Sequence, residues 1–190
     1  STPSNSSAAS DVYKRQRVGD TVVIGTQKTP ARIASIEGWH TAPHVSASAG
    51  QSIAVTLEPD VIPDRGDLLH HVDTPPTQAS RVRTRLFWLR QEPLRVGESF
   101  RLRLAPAEHA VTVTSIESVV NLDDLTMHPG TEVPPEGFAE ITLAAAENIQ
   151  FDAFAPGTPD GRGVLVDLQQ RIVGGAPLIG PAEIAVGDKA

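Results

Sequence analysis

Apolar residues along this chain come in short runs separated by turn-forming residues. From residue 18 onward, β-branched runs at 21–24, 31–36, 53–57 and 68–69 recur at roughly ten-residue intervals, the spacing of antiparallel strands joined by turns. The 16 prolines and 15 glycines interrupt nearly every window that could hold a helix of ordinary length. The pattern therefore predicts an all-β fold.

A proline-rich segment divides the predicted strands into two groups. Residues 74–77 read Thr-Pro-Pro-Thr, and neither a helix nor a central strand accepts consecutive prolines, which lack backbone donors. After this segment the predicted strands are longer, and they lie at 80–89, 99–104, 110–120, 139–143 and 163–167. We predict one domain over residues 17–76 and a second over residues 77–183, which is long enough for a closed barrel or a sandwich.

The two ends of the chain are excluded from these domains. Residues 1–16 (STPSNSSAASDVYKRQ) are small and polar, and they lack the apolar core of a secretory signal. We interpret them as a disordered leader that is not native, and residues 184–190 as a tail. No apolar run approaches the roughly 20 residues that span a bilayer, so we expect no membrane partner.

Charge and cysteine content restrict the possible functions. The 190 residues carry 23 acidic and 16 basic side chains, a net charge of −7, which opposes general attraction to nucleic acid or to an anionic membrane. The chain has no cysteine, so a disulfide framework and a thiolate metal site are excluded. A reducing, cytoplasmic location fits this composition.

Positive charge is concentrated in one segment. Residues 81–103 hold seven arginines against two glutamates, a local charge of +5 against −12 for the remainder. Because side chains alternate between the faces of a strand, we expect five of them to point outward as possible partner-docking residues: Arg81, Arg83, Arg85, Arg101 and Arg103. Such a face is either a solvated surface that discourages edge pairing or a docking patch for carboxylates or phosphates.

Arg65-Gly66-Asp67 is a tripeptide that cell-adhesion receptors bind when it lies at an exposed loop tip. Glycine between two polar residues is also ordinary turn chemistry. The missing cysteines and secretory signal oppose an extracellular adhesion protein. We therefore interpret the tripeptide as a structural turn in which Gly66 supplies a permissive backbone conformation.

Residues that could catalyse a reaction or bind a metal form no recognisable pattern. Among the six histidines, His70 and His71 are adjacent and would point to opposite faces of a strand. The sequence contains neither a Gly-x-Ser-x-Gly elbow nor a phosphate-binding glycine motif, and Asp123-Asp124 is typical of a solvated turn. We expect no catalytic, cofactor-binding or metal-binding residue in this chain.

Five stretches, in this order, resemble the C-terminal part of the large subunit of bacterial sulfate adenylyltransferase, a family related to elongation factor Tu. They are 18–22 (VGDTV), 49–57 (AGQSIAVTL), 64–68 (DRGDL), 87–89 (FWL) with Pro93, Leu94 and Gly97, and 163–167 (GVLVD) with Val173-Gly174-Gly175. In that family two β-barrels follow a GTPase domain. The resemblance implies two consecutive antiparallel barrels of the elongation factor Tu second- and third-domain type, the first truncated at its start.

The resemblance also implies a function. The family's enzyme makes adenosine 5'-phosphosulfate from ATP and sulfate, driven by GTP hydrolysis, and adenylyl transfer occurs on a small catalytic subunit. We therefore expect GTP and Mg²⁺ to bind in the GTPase domain and ATP on the partner subunit, while this chain alone is inactive. Its barrels would act as a scaffold and docking relay between the GTPase domain and the small subunit.

The alternative function is an RNA- or protein-binding module of the translation-factor class without an enzymatic role. RNA recognition uses aromatic side chains that stack on bases, and only 4% of the residues here are aromatic. The composition therefore opposes the RNA-binding form of this alternative.

Overall fold

The computed structural model describes residues 16–25, 28–38, 42, 44–48, 51–104, 106–156 and 161–183. Every regular element in these ranges is a β-strand, which confirms the all-β prediction. The chain forms two compact units, Ser1–Pro75 and Pro76–Ala190, whose boundary lies inside the proline-rich segment. Most of the predicted leader and all of the predicted tail lie outside the described residues, whereas Gln16 belongs to the first strand.

The first unit contains an open antiparallel sheet. Its strands are β1 Gln16–Arg17, β2 Thr21–Ile24, β3 Thr29–Gly38, β4 Ser46–Ala47, β5 Ile53–Glu58 and β6 Leu69–His71. Four of them form a sheet in the order β5-β3-β2-β6, and β1 pairs with β4. Within the described residues β5 and β6 are the edges of this sheet. Its core consists of β-branched and small side chains such as Val22, Ile33 and Ile36, all fully buried.

The second unit is built around a closed barrel. Its strands are β7 Thr77–Trp88, β8 Leu94–Arg95, β9 Ser99–Leu104, β10 Ala107–Val120, β11 Met127–His128, β12 Glu132–Val133, β13 Phe138–Phe151, β14 Val164–Val166, β15 Ile172–Gly175 and β16 Leu178–Pro181. Six strands follow one another in the order β10-β13-β7-β15-β14-β9, and β9 pairs back onto β10. This closure leaves the six strands without a free edge.

The interior of the barrel is filled by alternate residues of its strands, as expected for a small barrel. Trp88 is 1% exposed, and its ring meets Phe100 edge-on with 5.6 Å between the centroids. The indole Nε1 donates to the Glu92 carbonyl at 2.7 Å. Thr84 is the polar exception on the inward face of β7, and its hydroxyl donates to the Pro177 carbonyl at 2.7 Å. Both buried polar groups are therefore satisfied.

Some strand boundaries differ from those indicated by the sequence. Strand β7 begins at Thr77, so the last residue of the proline-rich segment is already part of the barrel. Strand β13 continues to Phe151, where the apolar pattern ended it at residue 143. Its register against β7 shifts between Ala144 and Ile149, and this irregularity lets the strand continue through the exposed residues Glu147 and Asn148. A local irregularity of this kind breaks the period of two on which the prediction depended.

Candidate functional site

The Arg65-Gly66-Asp67 segment forms a tight turn in the first unit. The Asp67 backbone N–H donates to the Asp64 carbonyl at 3.0 Å, and Gly66 has φ 103°, as the third position of a type II turn requires. The Asp67 carboxylate accepts a hydrogen bond from the Asp64 N–H at 3.0 Å. It also lies against Gly25, where an added Cβ would come within 2.8 Å of Asp67 Oδ1. The Asp67 side chain thus closes its own turn.

The barrel separates the five predicted docking arginines into two groups. Arg81, Arg83 and Arg85 lie on β7, and Arg101 and Arg103 lie on β9. Around the closed barrel, β9 is three strands away from β7 in either direction. The two groups therefore lie on opposite sides of the barrel and form no single patch. The alternating pattern predicted which side chains point outward, but it held no information about the strands that come between them.

The β9 arginines are compensated by acidic and polar neighbours. Arg103 Nε lies 2.6 Å from Glu108 Oε1, and Arg101 Nη1 lies 3.6 Å from Glu108 Oε2. The Arg103 guanidinium also donates to the Gln170 side chain. Exposed pairs of this kind contribute little to stability. This side of the barrel has the character of a solvated, internally paired surface.

The β7 arginines differ among themselves. Arg85 Nε lies 3.1 Å from Glu140 Oε1 on the neighbouring strand β13. Arg81 and Arg83 make no ion pair within the part of the chain that the structure describes, and Arg81 Nε is buried without a hydrogen-bond partner there. A buried donor without a partner is costly. Arg81 and Arg83 are therefore the arginines of the predicted set that have no ion-pair partner among the described residues.

These two arginines line a cleft of about 550 Å³ on the outer face of the barrel. Strands β7, β13 and β10 form its floor, and the chain after β16 forms one wall. Its lining residues are Arg81, Arg83, Thr114, Ser115, Glu117, Thr142, Pro181, Ala182 and Glu183. The register places Thr142 opposite Arg83 and Ser115 opposite Thr142, so the side chains converge by cross-strand pairing.

Glu117 is the fixed anion of this cleft. Its Oε1 accepts hydrogen bonds from the hydroxyls of Ser115 and Thr142, the latter at 2.8 Å. These bonds lower the pKa of Glu117, partial burial raises it, and the positive charges of Arg83 and Arg81 lower it further, so that the net shift is downward. The carboxylate is ionised at neutral pH, and its charge interacts electrostatically with both guanidinium groups without a direct ion pair. The arrangement is suited to ionic recognition of a carboxylate or phosphate.

Sequence reasoning identified the arginines of the cleft but missed Glu117 and Thr142. Both lie far along the chain from Arg83, and only the pairing of β10, β13 and β7 brings them together. No local motif marks them. The Ser-x-Glu spacing of Ser115 and Glu117 is the sole sequence signal, and it indicates only that both side chains lie on the same face of a strand.

Within the described ranges, no three His, Asp or Glu side chains form a group that could hold a metal ion. His71 Nε2 lies 3.7 Å from Asp20 Oδ2, and burial lowers the pKa of His109 against the opposing charge of Glu147. His40 lies outside the described residues. The same ranges contain no helix with the length and apolar character needed to cross a membrane.

Curated relatives in sequence carry one recurring name. Sulfate adenylyltransferase subunit 1 from Shewanella oneidensis is 32% identical over 159 residues, which are 80% of this chain and 32% of that protein. The protein of the same name from Sodalis glossinidius is 26% identical over 86% of this chain and 34% of its own. The bifunctional enzyme NodQ from Azospirillum brasilense is 32% identical over 76% of this chain and 23% of its own. No protein-family model matches the chain.

Among solved structures, the fold matches Sup35. The crystal structure of Sup35 complexed with GDP has a TM-score of 0.78 and 13% identity, covering 89% of this chain and 42% of that chain. Its complex with GMPPNP matches with the same TM-score. These findings confirm the translation-factor type of β-barrel fold and the resemblance to the large subunit of sulfate adenylyltransferase. The chain spans about a third of the length of the subunit 1 relatives from Shewanella and Sodalis.

Proposed function

We propose that this chain is the β-barrel part of the large subunit of a cytoplasmic sulfate adenylyltransferase, which converts ATP and sulfate to adenosine 5'-phosphosulfate. The observation that carries the proposal is the 32% identity over 80% of the chain to subunit 1 of the Shewanella oneidensis enzyme. In this proposal GTP hydrolysis takes place in a domain outside the chain. Adenylyl transfer takes place on a separate small subunit.

The barrels would act as a scaffold that docks the small subunit. The cleft supports this role because Arg81 and Arg83 both line it and neither forms an ion pair within the described residues. Thr142 and Ser115 hold the Glu117 carboxylate through hydrogen bonds, and its charge favours the presence of the two guanidinium groups in the cleft. Arginine binds carboxylates through paired, charge-assisted hydrogen bonds. We therefore assign the docking role to Arg81 and Arg83 rather than to all five arginines.

Binding to an immobilised small subunit of the Shewanella oneidensis enzyme tests the proposal, with subunit 1 of that enzyme as the positive control. The matched variants are Arg83→Gln in the cleft and Arg103→Gln on the opposite side of the barrel. We expect Arg83→Gln to slow association by roughly three- to tenfold at low salt and less at high salt, because rim charges act mainly on the association rate. Arg103→Gln should associate at the parental rate.

Two results would count against the proposal. If subunit 1 binds the immobilised protein and this chain does not, the assignment of the chain as a docking scaffold is wrong. If the chain binds and Arg83→Gln associates at the parental rate at low ionic strength, the cleft is only a solvated surface. Tight binding of the parental chain to RNA at physiological salt, abolished by Arg83→Gln, would favour the RNA-binding module instead.

A further inference from the structure

Four apolar side chains form a row across the outer face of the barrel, at the end where β10 leaves it. Phe138 on β13 pairs with Phe87 on β7, and Val120 on β10 pairs with Met127 on β11. Because β10 and β13 pair in antiparallel register up to the preceding residue, Val120 adjoins Phe138. We call these four residues the apolar row.

The apolar row is open to solvent. Phe138 is 44% exposed and Met127 is 54% exposed. The rings of Phe87 and Phe138 stack with 4.4 Å between their centroids. On the other flank, Phe87 pairs with Gly175, and a Cβ added at Gly175 would meet nothing within 4 Å. A contiguous apolar strip of this kind, rimmed by polar residues, marks an interaction surface more often than scattered exposed residues do.

A hairpin tip extends this surface beyond the barrel. The tip consists of residues 121–126 between β10 and β11, and it displays Leu122 at 56% and Leu125 at 74% exposure. Its backbone is fixed, since the Leu125 N–H donates to the Asn121 carbonyl and the Asn121 N–H donates to the Thr126 carbonyl, both at 2.8 Å. Leu125 has φ 58°, a left-handed conformation that is unfavourable for a bulky side chain. A strained leucine is thus held outward on an ordered loop.

Charges flank the apolar row on two sides. Along β10 in chain order, the cleft with Arg81 and Arg83 comes first and the apolar row second. The hairpin tip, which carries Asp123 and Asp124, comes after the row. Between the cleft and the row, the charge of Arg85 is compensated by Glu140 at 3.1 Å. The surface therefore presents the cleft with its two arginines, then apolar side chains, then the carboxylates of the tip, in a fixed order along the strands.

We propose that the apolar row and the hairpin tip are the main contact for the partner subunit. That partner would present apolar side chains to the row, carboxylates to Arg81 and Arg83, and basic side chains to Asp123 and Asp124. The inference rests on the proposed function, which supplies the partner subunit. It adds the apolar row and the hairpin tip to the arginines of the cleft as the residues that make the contact. Interfaces commonly have such an apolar and aromatic centre, with arginine enriched beside it.

The dimensions suit a specific but moderate interface. From Ser115 to the tip, β10 and its hairpin extend over roughly 30 Å, and the four strands β7, β13, β10 and β11 cover roughly 15–20 Å across. This footprint of about 500 Å² per partner lies at the lower end of specific protein interfaces. The apolar row should then determine how long the complex lasts, while the arginines determine how fast it forms.

The test measures binding to the small subunit of the Shewanella oneidensis enzyme with two variants of the row and tip. We expect Phe138→Ser to dissociate about tenfold faster, because truncated aromatic anchors act on dissociation, without a change in the salt dependence of association. Leu168→Ser is the matched control, since Leu168 is 82% exposed but lies in the loop after β14. It should dissociate at the parental rate.

The variant Leu125→Asn distinguishes a loss of binding from a loss of folding. Asparagine tolerates the left-handed conformation better than leucine does, so this variant should be at least as stable as the parent. We expect it nevertheless to dissociate several-fold faster, since it removes an apolar contact from the tip. Faster dissociation together with an unchanged or higher melting temperature supports docking through the tip, and parental dissociation of this variant excludes it.

The other results of these binding experiments distinguish failure of this inference from failure of the proposed function. If the parental chain binds and both Phe138→Ser and Leu125→Asn dissociate as the parent does, the apolar row is not the interface, and the proposed function stands. If the chain fails to bind where subunit 1 of the same enzyme binds, the proposed function and this inference both fail. If sedimentation shows that the chain alone forms a dimer that Phe138→Ser abolishes, a second copy covers the row, and the partner assignment is overturned.

Discussion

Two adjacent glycines in β15 have different surroundings, and this difference provides a test of packing at single residues. A Cβ added at Gly174 would come within 2.8 Å of Leu86 Cδ1 and 2.9 Å of the Phe87 backbone carbonyl, whereas one added at Gly175 would meet nothing within 4 Å. We expect Gly174→Ala to destabilise the barrel by about 1–3 kcal/mol, because the backbone of β7 cannot give way. Gly175→Ala should stay within about 0.5 kcal/mol of the parent. Urea denaturation midpoints measure both changes, and equal midpoints would contradict the close approach of β7 to β15 at Gly174.

Asp167 couples stability to pH. It is 5% exposed, and its Oδ1 accepts hydrogen bonds from the backbone N–H groups of Gln169 and Arg171 at 2.9 and 3.0 Å. Burial raises its pKa, but these bonds and the guanidinium of Arg171, with Nε 2.9 Å from Oδ2, outweigh burial. The net shift places the pKa of Asp167 below its ordinary value of 3.8.

A depressed pKa in the folded state means that the unfolded state takes up a proton first as the pH falls. The stability contributed by ionised Asp167 is therefore present above its ordinary pKa and is lost as the pH falls through the lower, folded value. We expect Asp167→Asn to melt at a lower temperature than the parent at pH 7, and this gap to narrow below about pH 4. Melting curves of both proteins across that range measure it. A gap that stays constant with pH would show that Asp167 contributes through packing alone.

The sequence supported inferences about which way side chains face, but not about their neighbours. In β7, Val82, Leu86 and Trp88 are buried while Arg83 and Arg85 are exposed, as the alternation of RVRTRLFWLR indicated. The partner of Arg85 comes from β13 and the partner of Arg103 from β10. Such ion pairs depend on strand register and barrel closure. The alternation of apolar and polar residues along the sequence predicts neither.

At the scale of elements, strands with an apolar pattern of their own were predictable and the two-residue strands were not. Strands β2 and β9 coincide with the runs 21–24 and 99–104. Strand β2 buries a continuous β-branched run, Val22 to Ile24, and β9 buries Phe100 and Leu102 at alternate positions. The two-residue strands β8 and β12 have no pattern of their own, and they exist because Leu94 and Val133 pair with each other in the core. Pairing of this kind is a tertiary property that local propensity does not report.

The difference between an open sheet and a closed barrel predicts unequal protection from hydrogen exchange. The described sheet of the first unit ends in β5 and β6, whereas the six barrel strands of the second unit have partners on both sides. Edge strands open more readily than strands paired on both sides. We expect amides within residues 17–73 to exchange faster than those within residues 80–180.

Exchange followed by mass spectrometry measures this difference, and the strands β3 and β13 provide an internal comparison because both are central in their sheets. If only the edge strands β5 and β6 exchange fast while β3 is protected like β13, the lower protection of the first unit is confined to its edge strands. Equal protection throughout both units would mean that the first unit gains strand partners beyond those described.

At the scale of the whole molecule, the order of short motifs indicated the resemblance where no single motif did. The stretch DRGDL alone is compatible with an adhesion ligand or with any turn, but with four other stretches in order it indicated the translation-factor type of barrel, which the fold confirmed. The position of the cleft could not be inferred in this way. It depends on how β7, β13 and β10 lie side by side, and the Glu117 carboxylate in it belongs to none of the five stretches.

The isolated chain can be tested for nucleotide binding. Phosphoryl transfer needs donors that hold the phosphates together with oxygen ligands for Mg²⁺. In the cleft, the guanidinium groups of Arg81 and Arg83 could attract phosphates, but among the described residues no three His, Asp or Glu side chains come together as ligands for a metal ion. We therefore expect calorimetry to show no micromolar binding of GTP to the isolated chain, and no formation of adenosine 5'-phosphosulfate.

Weak attraction of phosphates to the two arginines gives a different signature, and this difference makes the prediction decisive. Such attraction should be equal for GTP, ATP and pyrophosphate, should not need Mg²⁺, should fade with salt, and should be lost in Arg83→Gln. Micromolar binding that prefers GTP, depends on Mg²⁺ and survives Arg83→Gln would instead place a nucleotide site within these 190 residues. The barrels would then have to be assigned a part in the GTPase reaction itself, since a scaffold needs no affinity for guanine.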